Sequence, residues 1–123
     1  MSIGQKPAHI IQGEKAEDKA LQFLLQEGLS VVSRNYRCKS GEIDLIMRED
    51  NALVIVEVRY RKNAKFGSAL ESITVKKQSR IIAATYHYLT ANKMASQPIR
   101  FDVVAMTGED DFNWIKNAFL AGF

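Results

Sequence analysis

The chain has 123 residues, 46% hydrophobic and 25% charged, a balance that fits one folded domain and excludes a disordered polymer. No apolar run approaches the roughly 20 residues of a membrane span, the first residues lack the apolar stretch of a secretory leader, and the single cysteine, Cys38, cannot close an internal disulfide, so a cytoplasmic protein is expected. The net charge of +3 is mild, but the basic residues cluster at Arg34, Arg37 and Lys39, at Arg59, Arg61, Lys62 and Lys65, and at Lys76, Lys77 and Arg80, where they either neutralise phosphates or are solvated surface.

Residues 1–12 read as a loose arm and residues 13–123 as a single domain. The pattern over 13–27 is helical, with Leu21, Leu24 and Leu25 on one face, extended by Ala16 and Ala20, and Gly28 ending the helix. Residues 29–36 are β-like, and 37–41 are polar and turn-prone. Two clear strands follow over 42–48 and 53–61, joined at Asp50-Asn51, residues that tolerate the positive φ of a tight hairpin. Leu53-Val54-Ile55-Val56 is apolar at every position, as in a strand covered on both faces. Residues 61–70 read as loop. Thr74 caps a second helix running to Ala91, with Ile81, Ile82, Thr85 and Leu89 inward. A break over 92–98 precedes a strand over 99–106, a turn over 108–111 and a strand or short helix over 112–119. The fold class expected is α/β: a mixed sheet with an antiparallel hairpin, flanked by helices.

A symmetric Asp50-Asn51 turn sets Asp44 directly opposite Glu57 and Glu42 opposite Arg59. Two carboxylates so placed need a cation, a shared proton or a metal between them. Glu17 stands four residues before Leu21 and so projects from the apolar face of its helix toward the sheet. Its plainer role is an acid favoured near a helix N-terminus. For Arg59, a cross-strand pair with Glu42 is the competing structural reading. Oxygen ligands with two or three carboxylates suit Mg²⁺ or Mn²⁺ rather than zinc. Such a site polarises a phosphoryl oxygen and activates water, and a nearby cation steadies the developing charge.

The segments that carry this constellation are Gly13-Glu14-Lys15-Ala16-Glu17, Ser40-Gly41-Glu42-Ile43-Asp44 and Val54-Ile55-Val56-Glu57-Val58-Arg59. With Arg100-Phe101-Asp102-Val103 further on, they resemble the YraN-like family of the PD-(D/E)xK superfamily, which has a restriction-endonuclease-like fold and is related to archaeal Holliday-junction resolvases. The resemblance implies Glu17, Asp44 and Glu57 at the acidic positions. Arg59 stands where the family pattern has a lysine, and arginine cannot act as a base. Three consequences are open. Arg59 acts electrostatically, or a lysine from elsewhere, Lys76 or Lys77, reaches the site, or hydrolysis is lost and nucleic-acid binding kept.

The expected function is that of a Mg²⁺- or Mn²⁺-dependent nuclease or nuclease-like protein acting on branched, nicked or single-stranded DNA, in repair or recombination. The alternatives are a non-cleaving nucleic-acid-binding module and a protein adaptor. Arg61, Lys62, Lys76, Lys77 and Arg80 are the expected nucleic-acid contacts, DNA being the first partner and RNA the second. A homodimer would suit a two-strand substrate. Gln78 either touches the site or satisfies a backbone group. Tyr36, Tyr60 and Phe66 are stacking surface or packing, and Asp102 is expected to be structural.

Overall fold

The computed structural model describes residues 8–60, 72–94, 96–108 and 111–121, with side chains from Lys15 onward. The order is α1 (Ala8–Gln26), β1 (Ser30–Cys38), β2 (Gly41–Glu49), β3 (Ala52–Tyr60), α2 (Val75–Ala91), β4 (Ile99–Met106) and β5 (Phe112–Phe119). The five strands form one sheet in the order β1-β2-β3-β4-β5. Only β3 and β4 run parallel, as the intervening crossover through α2 requires. The architecture is α/β, a mixed sheet flanked by two helices, consistent with the restriction-endonuclease-like expectation.

Local signals explain most boundaries. Helix α1 ends in a Schellman turn: Leu29 N donates to Leu24 O and Gly28 N to Leu25 O, with Gly28 at φ 97. Its start at Ala8 makes residues 8–12 part of the helix rather than of an arm. Leu25, expected inward, is 38% exposed. Asp50 takes φ 54 in the β2–β3 turn, and Lys39-Ser40 alone make the β1–β2 turn, because Cys38 already pairs with Gly41. Thr74 caps α2 by accepting from Lys77 N at 3.1 Å. Phe112 and Trp114 pack toward α1 while Ile115 and Phe119 pack toward α2, a period-two pattern that makes this segment a strand.

The core lies on both sides of the sheet. Val54 and Val56 join Leu45, Met47, Val104 and Met106 under α1, whose Ala16, Ala20, Leu21 and Leu24 face them. Leu53 and Ile55 join Ile46, Phe101 and Val103 under α2, whose Ile81, Ala84 and Tyr88 face them. This double burial explains the unbroken apolar run of β3. Asp102 is buried in the sheet yet satisfied. It accepts from Arg100 Nε and Nη2, Trp114 Nε1 and Asn117 N, each at 2.9 Å. It fills a structural role, as expected.

Candidate active site

The site forms where β2 and β3 part. Their ladder runs from Glu49 and Ala52 to Leu45 and Val56 in the register expected of a symmetric turn, and there it stops. One step on, Val58 N donates to Asp44 Oδ2 at 2.9 Å. A carboxylate thus takes the place of a main-chain acceptor, which fixes Asp44 at the mouth of the gap.

A change of face at the same level decides what Asp44 can meet. Ile43 packs on the α2 side and Leu45 on the α1 side, although residues two apart on a regular strand share a face. The neighbouring strand switches with it. Asn35 takes φ 52, so Arg34 reaches α1 while Tyr36 stacks edge-on against Tyr88 of α2. Asp44 therefore sits between two environments. On the α1 side Glu17 lies within its electrostatic reach. On the α2 side Glu57 does.

Glu17, Asp44 and Val58 line an open cavity of about 880 Å³ together with Asp18, Arg34 and Tyr60. Glu57 faces the other way. Its Oε1 lies 3.3 Å from Arg59 Nη2 and 3.9 Å from Lys77 Nζ, and Lys77 belongs to α2. The three acids accordingly make two adjacent pairs sharing Asp44 rather than one ring. Among the described residues no three Asp, Glu, His or Cys side chains group closely enough to hold a metal by themselves. Glu17 is also engaged by Arg34 Nη2 at 3.3 Å, the same atom that lies 2.5 Å from Asp18 Oδ1.

Burial dominates the titration of this cluster. It pushes Glu57 up to about 8, the Asp44 charge pushes further, and Lys77 and Arg59 oppose both. Asp44 is also raised by burial, against the Val58 N–H and the same two cations. Glu17 is raised by burial and by Asp44, against Arg34 and Asn35. Burial and mutual repulsion thus both favour a proton held by the Asp44–Glu57 pair.

The other expected residues divide. Glu42 pairs weakly with Arg37 at 3.8 Å and not with Arg59, because the β2–β3 ladder ends before it reaches them. Lys76 and Arg80 are exposed on α2, whereas Lys77 turns inward beside Glu57. Gln78 donates to Ile73 O at 3.1 Å and so satisfies the backbone. Tyr36 is packing, and Tyr60 borders the cavity. Arg61, Lys62 and Phe66 lie outside the described residues. Arg34 was expected only as part of a basic cluster. Its engagement of Glu17 depends on the left-handed turn at Asn35, which has no local sequence signature beyond the asparagine itself.

Comparison with known proteins places the chain in a family. The model of the family described as uncharacterised protein family UPF0102 matches residues 16–106, which include Glu17, Asp44, Glu57, Arg59 and Lys77. A UPF0102 protein of Saccharophagus degradans is 53% identical over 90% of this chain and 94% of its own length. Another from Nitrosococcus oceani is 49% identical over 93% and 96%. One from Legionella pneumophila is 50% identical over 90% and 96%. The chain belongs to UPF0102, the YraN-like group of PD-(D/E)xK nuclease-like proteins.

Proposed function

We propose that this protein is a divalent-metal-dependent phosphodiesterase of the cytoplasm that cuts DNA, with branched, nicked or single-stranded forms as the substrate class and RNA as the second choice. The observation that carries the reading is the buried Asp44–Glu57 pair, two carboxylates that act on each other, with Arg59 and Lys77 beside Glu57. A stabilising core has no need of like charges placed so closely.

The donor set fits Mg²⁺ or Mn²⁺ with one qualification of number. Magnesium is commonly held by one or two carboxylates, its remaining positions going to water and to substrate phosphate. Asp44 and Glu57 meet that requirement, with the Val58 carbonyl as a further donor, and Glu17 acts across the cavity through water. A bound ion there supplies Lewis-acid polarisation of a phosphoryl oxygen and a more acidic water. The chain's own residues do the rest. Val58 N–H holds Asp44 in place, Arg59 anchors Glu57, and the exposed Lys76 and Arg80 offer charge to the phosphodiester backbone.

The test is cleavage of labelled junction, nicked and single-stranded DNA with Mg²⁺ or Mn²⁺, and its loss in Asp44→Asn. Absence of any cleavage that depends on Asp44 would sink the enzymatic reading. A second reading, a binding module without turnover, is favoured by the lack of a three-ligand cluster among the described residues and by arginine at position 59. It predicts salt-sensitive DNA affinity indifferent to Asp44→Asn.

A further inference from the structure

Two cations, Arg59 and Lys77, stand beside one oxygen of Glu57, which leaves open which of them meets the attacking water. We propose that Lys77 of α2 does so, and that Arg59 is a positioning residue for Glu57. This assignment rests on the phosphodiesterase reading and adds a residue to it.

Three observations separate the two cations. Arg59 Nη2 lies 3.3 Å from Glu57 Oε1, and its Nε is buried without a hydrogen-bond partner. A guanidinium shut away at that nitrogen and tied at another has little freedom to follow a reacting group. Lys77 Nζ lies 3.9 Å from the same oxygen, an ion pair too long to be a hydrogen bond, so Glu57 claims none of its N–H donors. Lys77 also reaches Glu57 from a different element, α2, whereas Arg59 shares strand β3 with it.

Tertiary packing holds Lys77 there. It stands four residues before the buried Ile81, on the inner face of α2. Gly41 of β2 approaches the backbone of α2 so closely that a Cβ on it would lie 2.8 Å from Arg80 O. This contact sets the height of the helix against the strand that carries Asp44. A cation in the first turn opposes the helix dipole, and α2 has no acidic residue there to offset it. Among the described residues the carboxylate Lys77 pairs with is Glu57, across the sheet-to-helix interface.

In the proposed step Lys77 donates a hydrogen bond to the attacking water or to a non-bridging oxygen of the scissile phosphate. The water oxygen forms the new bond to phosphorus, the bond to the leaving oxygen breaks with its electron pair and that oxygen takes a proton from solvent, while the proton of the attacking water passes to solvent.

The experiment uses the full chain, Mn²⁺ and labelled four-way junction, nicked duplex and single strand under single-turnover conditions. Lys77→Arg and Lys77→Met should each slow cleavage by about 100-fold, the effect of removing one positioned donor. Lys77→Arg keeps the charge, so its DNA Kd should stay within about threefold of wild type, as should its melting temperature within about 2 °C. Arg59→Lys should slow cleavage less than Lys77→Arg does, with its loss falling on the apparent affinity for Mn²⁺ rather than on the rate at saturating metal. Wild-type rates in Lys77→Arg, a loss carried wholly by DNA affinity, or a gain of about tenfold in Arg59→Lys would each overturn the assignment while the nuclease reading stands. Failure of the wild-type chain to show Asp44-dependent cleavage would remove both.

Discussion

Replacing Glu57 with glutamine should flatten the dependence of stability on pH, and the reason lies in its environment. Glu57 is 6% exposed, and its folded-state pKa is raised to about 8 from an ordinary 4.5, burial being the main cause and Asp44 the second. A folded state with the higher pKa binds the proton more tightly than the unfolded chain. The contribution is therefore fully present below about pH 4.5 and is lost as pH rises to about 8, after which it levels off. A span of about three and a half units, at about 1.36 kcal/mol each, gives on the order of 5 kcal/mol as the upper limit. Water entry and rearrangement of Lys77 and Arg59 will reduce it. Urea unfolding at steps between about pH 5 and pH 9 should show wild type losing stability relative to Glu57→Gln by several kcal/mol. The difference between the two proteins removes the histidines and other groups common to both. Parallel curves, or a wild type that gains on the variant as pH rises, would refute the account of a desolvated carboxylate pair.

Related perturbations have definite outcomes. Mn²⁺ should raise the melting temperature of wild type more at about pH 8 than at about pH 6, because the ion competes with the proton of the Asp44–Glu57 pair, and Asp44→Asn should abolish the rise. Gly41→Ala should cost about 1–3 kcal/mol in denaturant unfolding, since the new methyl meets the Arg80 carbonyl at 2.8 Å. Asp102→Ala should cost about 3–5 kcal/mol by the same assay, because it leaves Arg100 Nε and Nη2, Trp114 Nε1 and Asn117 N without their common acceptor, Arg100 keeping only Glu49 through Nη1. A cost below about 1 kcal/mol would mean that water replaces the carboxylate.

Much of the framework was legible because it follows from local periodicity. The apolar run of β3, the Thr74 cap, the Gly28 stop and the strand over 99–106 each encode their conformation within a few residues. Counting outward from Asp50-Asn51 gave the register as far as Leu45 and Val56, because hairpin register propagates from its turn, and that register ends one pair short of Asp44 and Glu57. The same counting failed for Glu42 and Arg59. It assumed that the ladder continues, whereas the Asp44 side chain replaces a backbone acceptor and ends it.

The division between residue order and folded shape runs through the site itself. Chain order alone placed a helical acid, two facing strand acids and an arginine in one neighbourhood, since strand alternation and helical spacing are short-range rules. Three-dimensional packing set the rest. The left-handed Asn35 and the face change beside Asp44 put Glu17 and Glu57 on opposite sides of the sheet. The close seat of α2 on Gly41 brought Lys77, 20 positions beyond Glu57 in the chain, to within 3.9 Å of it. Such contacts depend on the sum of many distant packing choices, and no window of neighbouring residues contains them.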